Sequence, residues 1–200
     1  MIGIIDYGVG NLKAFAHVYK RLNIDYKIVS NHEELDNITK IILPGVGSFD
    51  HAMLKLNHSG LKEKLEECVL VQNIPVLGVC IGMQMLADSS DEGTMPGLGW
   101  IKGTVKKMKC SGAPLPHMGW NQLMFSKKHP LFDDLDQTAR FYFLHSYYFE
   151  SDDPEHNLAF SHYYNNFTSM VNRGNIYGIQ CHPEKSHYNG VTLLKNFAGL

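Results

Sequence analysis

No apolar run in this sequence approaches the roughly 18 residues that a membrane-spanning helix needs. The apolar start of the chain has neither a basic segment before it nor a small-residue cleavage site after it, so it predicts a first strand and not a signal peptide. The 18 Lys and Arg residues nearly balance the 20 Asp and Glu residues, for a net charge of −2. We therefore expect no membrane partner and no nucleic-acid partner.

The sequence also lacks the usual metal and dinucleotide patterns. Its four cysteines, at positions 68, 80, 110 and 181, form no C-x-x-C, and its 11 histidines form no H-E-x-x-H. Gly8-Val9-Gly10 lacks the third glycine of a dinucleotide loop, since position 13 is Lys. We expect no metal and no cofactor. Free thiols without a secretion signal favour a cytoplasmic location.

The length and composition of the chain predict one domain spanning residues 1–200, because 44% hydrophobic residues are enough to build a core. Apolar runs at 2–5, 26–29, 41–43 and 75–79 predict strands, the third of them stopped by Pro44-Gly45. Helical stripes at 12–22, 33–35, 61–72 and 83–87 lie between and after them. This alternation predicts an α/β fold with a doubly wound, mostly parallel sheet.

The second half of the chain has a different pattern. Residues 101–108, 117–124, 141–149, 158–162, 168–173 and 176–181 are rich in β-branched and aromatic side chains, with turn residues between them. They predict an added, partly antiparallel portion of sheet. Residues 190–198 predict a closing helix.

Gly78-Val79-Cys80-Ile81-Gly82 lies between an apolar strand and a helix, which is the nucleophile-elbow pattern. The glycines would permit a sharp turn that projects the Cys80 side chain into a cleft. The start of the following helix would favour its thiolate. A buried structural cysteine in a tight turn is the alternative interpretation.

A proton carrier could come from His182-Pro183-Glu184. In an extended segment, residues two apart point the same way, and Pro183 favours extension at His182. Glu184 could then orient the imidazole. Cys181 would point the opposite way and be a core thiol.

The elbow and H-P-E together resemble the class I glutamine amidotransferases, the triad glutaminases. Further segments are similar to the glutaminase subunits of imidazole glycerol phosphate synthase, nearly end to end and in the same order. These are residues 6–11, Pro44-Gly45-Val46-Gly47-Ser48-Phe49, Pro116-His117-Met118-Gly119-Trp120-Asn121, His145-Ser146-Tyr147-Tyr148 and His182-Pro183-Glu184-Lys185-Ser186.

The resemblance implies hydrolysis of glutamine by a triad of Cys80, His182 and Glu184. It implies an oxyanion site formed by the backbone N–H of Ile81 and of Val46 or Gly47. It also assigns side chains to glutamine binding, namely Gln84, Glu92, His145, Ser146 and Tyr147.

The resemblance further implies a partner, a (β/α)₈ barrel cyclase that receives the ammonia in a heterodimer. Lys185, Trp120, Tyr142 and Asn11 would lie at the contact, with Lys185 paired to a cyclase carboxylate. The products would be imidazole glycerol phosphate and an aminoimidazole carboxamide ribonucleotide. One alternative is a paralogous glutaminase that supplies ammonia for amidation of surface-polysaccharide or glycan sugars. Others are a non-catalytic binding subunit and a stand-alone γ-glutamyl hydrolase.

Overall fold

Strands and helices alternate along the first half of the chain, as the sequence predicts. The computed structural model describes residues 1–109, 112 and 114–200, so Cys110 lies outside the described residues. The elements of this half are β1 (Ile2–Ile5), α1 (Leu12–Arg21), β2 (Tyr26–Val29), β3 (Lys40–Gly45), α2 (Phe49–His58), α3 (Lys62–Glu66), β4 (Val76–Cys80) and α4 (Ile81–Gln84).

The second half is mainly β-structure and ends in a helix. Its elements are β5 (Ser89–Ser90), β6 (Gly103–Lys107), β7 (His117–Gln122), β8 (Met124–Phe125), β9 (Arg140–His145), β10 (Tyr147–Ser151), β11 (Asn157–Tyr163), β12 (Asn165–Arg173), β13 (Ile176–Ile179) and α5 (His187–Gly199). Short 3₁₀ turns include Pro183–Lys185, just before α5.

Within the described residues, the main sheet has eight strands in the order β2-β1-β3-β4-β13-β12-β11-β8. The strands from β2 to β13 pair in parallel. The remaining three pair antiparallel. Two smaller sheets, β10-β6-β5 and β7-β9, lie beside it. The predicted α/β fold with a mostly parallel sheet and an added antiparallel portion is confirmed.

The order of the strands explains why helices cover both faces. The crossover from β1 to β2 runs towards one edge of the sheet, and that from β3 to β4 runs towards the other. Right-handed crossovers in opposite directions place α1 and α2 on opposite faces. Helix α5 packs against α1. The carboxyl ends of β3, β4 and β13 then meet at one edge, where such sheets carry their sites.

Three helices differ from the prediction. The segment after the elbow is helical only over Ile81–Gln84, because Leu86 and Ala87 make tighter turns to Met83 and Gln84. The predicted helix at 61–72 is α3 followed by a π-helical turn at Glu67–Val71. Helix α2 was not predicted, although Ala52, Met53 and Leu56 give it a buried face at helical spacing.

The predicted strand at 141–149 is wrong as a single element. The chain breaks at Ser146, and β9 pairs with β7 while β10 pairs with β6. The break leaves the Ser146 carbonyl free to accept a hydrogen bond of 2.9 Å from the Met108 amide. Apolar alternation continues across it because both strands bury one face, so the pattern alone does not reveal a change of sheet.

One hydrophobic core joins the two halves, with buried members from Ile2 in β1 to Phe197 in α5. Trp100 is among them. No described helix is both long and apolar enough to cross a membrane.

Candidate active site

Cys80 occupies a strained turn between β4 and α4, with φ 56° and ψ −110°. Few non-glycine residues adopt a positive φ, and such a conformation costs about 1–3 kcal/mol and persists only where its surroundings enforce it. The flanking glycines permit the turn. A Cβ on Gly82 would collide with the Leu43 carbonyl oxygen, and one on Gly78 would come within 2.5 Å of the Gly82 carbonyl oxygen. The structure therefore has the expected elbow.

The helix after the elbow is shorter than predicted, and this changes the electrostatics of the sulfur. With only the four residues Ile81–Gln84, α4 aligns few peptide dipoles. The expected stabilisation of the thiolate by a helix terminus is therefore small. Side-chain hydrogen bonds and charges near the sulfur become correspondingly more important.

His182 and Glu184 form a buried pair, with the imidazole Nδ1 2.9 Å from the carboxylate Oε1. The backbone differs from the extended segment predicted, because Pro183–Lys185 is a 3₁₀ turn and only His182 itself is extended. The turn still brings Glu184 back against the imidazole. The His182 amide donates to the Tyr142 carbonyl at 2.8 Å, which fixes the residue against β9.

The charge state of His182 depends on these neighbours. Burial by itself lowers the pKa of His182, but its interactions with the neighbouring Cys80 and with the hydrogen-bonded Glu184 outweigh burial and raise the pKa well above its ordinary value. Because Nδ1 faces Glu184, Nε2 is the nitrogen left for Cys80. The arrangement favours the charged imidazolium form of His182.

A cavity of about 280 Å³ opens above the sulfur. The structure brings most of the predicted site residues to its wall: Cys80, His182, Ile81, Val46, Gly47, Gln84, Glu92, His145, Ser146, Tyr147 and Lys185. Glu184 lies behind His182. Trp120, Tyr142 and Asn11 do not line this cavity.

The predicted oxyanion segment follows β3 directly. Gly45, its last residue, pairs in register with Cys80, so Val46 and Gly47 project past the nucleophile. Both are exposed, and Gly47 has a φ of +89°. A Cβ added at Gly47 would meet none of the described atoms within 4 Å, so the space around it is open. This position allows the segment to reach a substrate oxygen above Cys80.

The two residues predicted to hold the amino-acid end of glutamine are already engaged with the protein. Gln84 Nε2 donates to the Tyr147 carbonyl and to Gln180 Oε1, both at 3.1 Å. Gln84 Oε1 is buried without a hydrogen-bond partner among the described residues, which leaves it free to accept from a substrate. Glu92 Oε2 accepts from the Phe49 amide at 2.8 Å, at the start of α2.

His145 belongs to a buried histidine pair that the sequence did not reveal. Its Nδ1 lies 2.8 Å from the Tyr147 carbonyl, and its Nε2 lies 2.9 Å from His117 Nδ1. A carbonyl only accepts, so His145 carries its proton on Nδ1 and His117 donates to it. His117 Nε2 then accepts from Asn121 Nδ2 at 3.3 Å. His117 and Asn121 both belong to the H-M-G-W-N segment, but nothing in the spacing of that segment indicated that His117 contacts His145.

Burial keeps this pair uncharged. Burial lowers the pKa of His117 to about 4. Burial, with smaller contributions from the charges of His117 and His182, lowers the pKa of His145 to about 3. His117 also stacks on Tyr163, with ring centroids 4.2 Å apart. A neutral pair with fixed tautomers holds the Tyr147 carbonyl in place without adding charge to the cavity.

Three of the four predicted contact residues, Lys185, Tyr142 and Trp120, lie at or beside the site. Trp120 is 39% exposed and stacks on His187 at 5.2 Å. Tyr142 lies between Trp120 and His182, with centroids 6.2 and 6.5 Å away. Lys185 is exposed, and Asn11 is exposed immediately before α1.

Cys68 and Cys181 are both buried, and burial raises the pKa of each thiol. The burial of Cys181 fits its predicted core role. Among the residues that the structure describes, no three His, Cys, Asp or Glu side chains are grouped to hold a metal ion.

Comparisons with known proteins agree with this geometry. Residues 3–199 match the family described as glutamine amidotransferase class-I. The chain is 54% identical to "Imidazole glycerol phosphate synthase subunit HisH" of Leptospira interrogans, over 100% of both chains. It is 52% identical to the protein of the same name from Bdellovibrio bacteriovorus, over 99% of each.

Solved structures show the same fold at low sequence identity. A structure described as a glutamine amidotransferase superposes with a TM-score of 0.77 at 19% identity, covering 100% of this chain and 99% of that one. The PurLQS structure from Thermotoga maritima gives 0.77 at 16% identity, covering 99% and 97%. The family match across almost all of the sequence, and relatives more than half identical to it, show that this chain belongs to the class I glutamine amidotransferases.

Proposed function

We propose that this chain is the glutaminase subunit of an imidazole glycerol phosphate synthase, with Cys80, His182 and Glu184 as its catalytic triad. The observation that carries the proposal is the elbow cysteine beside the buried His182–Glu184 pair, with Cys80 and His182 both lining a cavity of about 280 Å³. Full-length relatives that bear this subunit's name support the choice of pathway. Nothing in the comparisons favours the sugar-amidating alternative.

In the proposed first step, the Cys80 thiolate attacks the side-chain carbonyl carbon of glutamine. Charge moves to the carbonyl oxygen, where the Ile81 N–H and an N–H from Val46 or Gly47 stabilise it. His182 protonates the amide nitrogen, the carbon–nitrogen bond breaks and ammonia leaves. The product on the enzyme is a γ-glutamyl thioester.

In the second step, His182 takes a proton from water, and the resulting hydroxide attacks the thioester. The carbon–sulfur bond breaks, which releases glutamate and restores the thiolate. Glu184 keeps the imidazole in one orientation through both steps. Gln84 Oε1, Glu92 and the segment from His145 to Tyr147 would bind the amino-acid end of glutamine.

The proposed partner is a (β/α)₈ barrel cyclase that forms a heterodimer with this chain. Ammonia is protonated in water and then no longer acts as a nucleophile, so a closed path from Cys80 to the cyclase is expected. Lys185, Trp120, Tyr142 and Asn11 would line the contact. Residues 1–200 would act as one domain, and the biosynthetic role would place it in the cytoplasm.

The decisive experiment uses Cys80→Ala in complex with the barrel cyclase from the same organism. Glutamine-dependent formation of imidazole glycerol phosphate should disappear, whereas synthesis from added ammonia should survive, because Cys80 makes ammonia but takes no part in cyclisation. Cys68→Ala, which removes a buried thiol that does not line the cavity, is the matched control and should retain both activities. Glutamine-dependent turnover by Cys80→Ala, or no cyclase product in the wild-type complex, would reject the proposal.

A further inference from the structure

Gln180 is a buried polar residue that the triad mechanism does not use. It follows β13 directly and has no exposed surface. The backbone N–H of Gln180 donates to the Ser169 carbonyl at 2.8 Å, which fixes the backbone of Gln180 against β12. A buried side-chain amide is costly unless both of its ends find partners.

Both ends of the Gln180 side chain do have partners. Its Oε1 accepts a hydrogen bond from Gln84 Nε2 at 3.1 Å. Its Nε2 lies 3.8 Å from the Cys80 sulfur, within reach of an N–H···S hydrogen bond. The side chain therefore connects the nucleophile to the wall of the cavity.

The direction of this connection is determined by a backbone group that cannot rotate. The Tyr147 carbonyl only accepts, so Gln84 must present its NH₂ group there. The same NH₂ group also donates to Gln180, so the side-chain atom of Gln180 at this contact must be its oxygen, the acceptor. If the Gln180 amide were flipped, two NH₂ groups would face each other and an oxygen would face the sulfur. The NH₂ group of Gln180 is thus the end that faces Cys80.

We propose that Gln180 is a positioning residue that donates a hydrogen bond to the Cys80 thiolate, held in that orientation by Gln84 and the Tyr147 carbonyl. The proposal rests on the proposed role of Cys80 as nucleophile. Hydrogen bonds to a charged acceptor are stronger than those to a neutral one, so this contact favours thiolate over thiol. The Gln180 amide also places the positive end of a fixed dipole beside the sulfur, a contribution that the four-residue α4 is too short to make.

Other titratable groups near the sulfur must be considered. His182 faces it from the turn after β13, with Glu184 behind. Tyr7 interacts with its charge from the loop after β1, and Cys181 does so from the core. A change at Gln180 alters none of these groups chemically, so their contributions remain while the amide contribution is lost.

The test is the pH dependence of Cys80 alkylation by iodoacetamide in the full-length chain, followed peptide by peptide with mass spectrometry. Gln180→Met keeps the volume of the side chain and removes the amide. We expect the midpoint for Cys80 to rise by about one pH unit. Ser169→Ala is the matched control, because the Ser169 hydroxyl is buried beside Gln180 without a hydrogen-bond partner in the described part of the chain. It should leave the midpoint unchanged.

A second measurement needs no substitution at Gln180. In the wild-type chain, the side-chain NH₂ signals of Gln180 in a ¹⁵N–¹H spectrum should shift with the same midpoint as Cys80 alkylation. In Cys80→Ala that titration should be absent. An unmoved alkylation midpoint in a folded Gln180→Met, or NH₂ signals insensitive to the thiol, would overturn the proposal. Neither readout needs glutamine turnover, so failure of the proposed function would be seen separately.

Discussion

The imidazole of His182 and the carboxylate of Glu184 are joined by a 2.9 Å contact between side chains that are only 4% and 2% exposed. Because water is largely excluded from this contact, Glu184 controls both the orientation and the charge of the imidazole. The two functions can be separated by substitution, since an amide in place of the carboxylate retains the acceptor but loses the charge.

Glu184→Gln should reduce kcat for glutamine hydrolysis by about 10–10²-fold, because the amide oxygen still holds Nδ1–H while the imidazolium loses its counter-charge. His182→Ala removes the proton carrier and should cost up to about 10⁴-fold. Steady-state kinetics of both variants with the cyclase present would measure the difference. Equal losses would contradict an orienting role for Glu184.

The isolated chain should hydrolyse glutamine slowly. The segment after β3 must direct a second N–H at the oxyanion, and its glycines permit more than one peptide orientation. Cyclase and nucleotide together should raise the rate by about 10²–10³-fold, the usual effect of one oxyanion donor. Glutamate release measured with and without partner and nucleotide is the test, and full activity of the chain alone would exclude this form of coupling.

Lys185→Ala should weaken binding to the cyclase by up to about 2–5 kcal/mol if the lysine loses a shielded carboxylate partner, or should lower the coupled turnover. Lys185 is exposed in the free chain, so its thermal unfolding should barely change. Lys195→Ala, at an exposed position within α5, is the matched control. The measurement is a titration against the cyclase with turnover followed throughout. Unaltered affinity together with unaltered coupling would show that Lys185 is an ordinary surface residue.

Gly82→Ala should destabilise the fold by about 3 kcal/mol or more, because the new methyl group would collide with the Leu43 carbonyl in the adjacent strand. Gly199→Ala, where no described atom lies within 4 Å of the added Cβ, should change the free energy of unfolding by no more than about 0.5 kcal/mol. Urea denaturation of both variants provides the comparison. A Gly82→Ala variant of wild-type stability would show that the elbow can relax.

The buried histidine pair should make the chain sensitive to acid. The pKa of His117 is lowered to about 4 and that of His145 to about 3. A lowered pKa gives stability that is fully present above about pH 6.5 and is lost as the pH falls towards these values, because the unfolded state binds the protons more readily. Each imidazole contributes a slope of up to about 1.4 kcal/mol per pH unit.

His117→Gln should reduce that slope between about pH 4.5 and 6.5, since one of the two buried imidazoles is gone. His51→Gln, at an exposed position, should keep the wild-type slope. Urea unfolding across this pH range measures both. Equal slopes in wild type and His117→Gln would mean that His117 is not kept neutral by the fold.

The sequence predicted the features that depend on neighbours in the chain. The elbow needs Gly78 and Gly82 within a few residues of Cys80, and His182 and Glu184 are two positions apart. The parallel sheet followed from alternating apolar strands and helical stripes. These signals are local, so a pattern of residue types can represent them.

The features that the sequence did not reveal depend on contacts between distant segments. His117 meets His145 only because β7 pairs with β9, and Gln180 meets Gln84 only because β13 lies beside β4. The early end of α4 has a similar cause. Gly97, whose added Cβ would collide with the Ala87 carbonyl, packs directly against that turn. None of these contacts between segments leaves a repeating pattern in the sequence.

The pairing of β4 with β13 also has a consequence for synthesis on the ribosome. Gln180 follows Cys80 by 100 residues, so at about 5–20 residues per second β4 waits roughly 5–20 s for its neighbour. During that interval the nascent chain carries an apolar strand with one unpaired edge, which is prone to aggregation. Chaperone binding during translation should therefore concentrate on this strand, and the reactive pair of Cys80 and His182 should form only as translation ends.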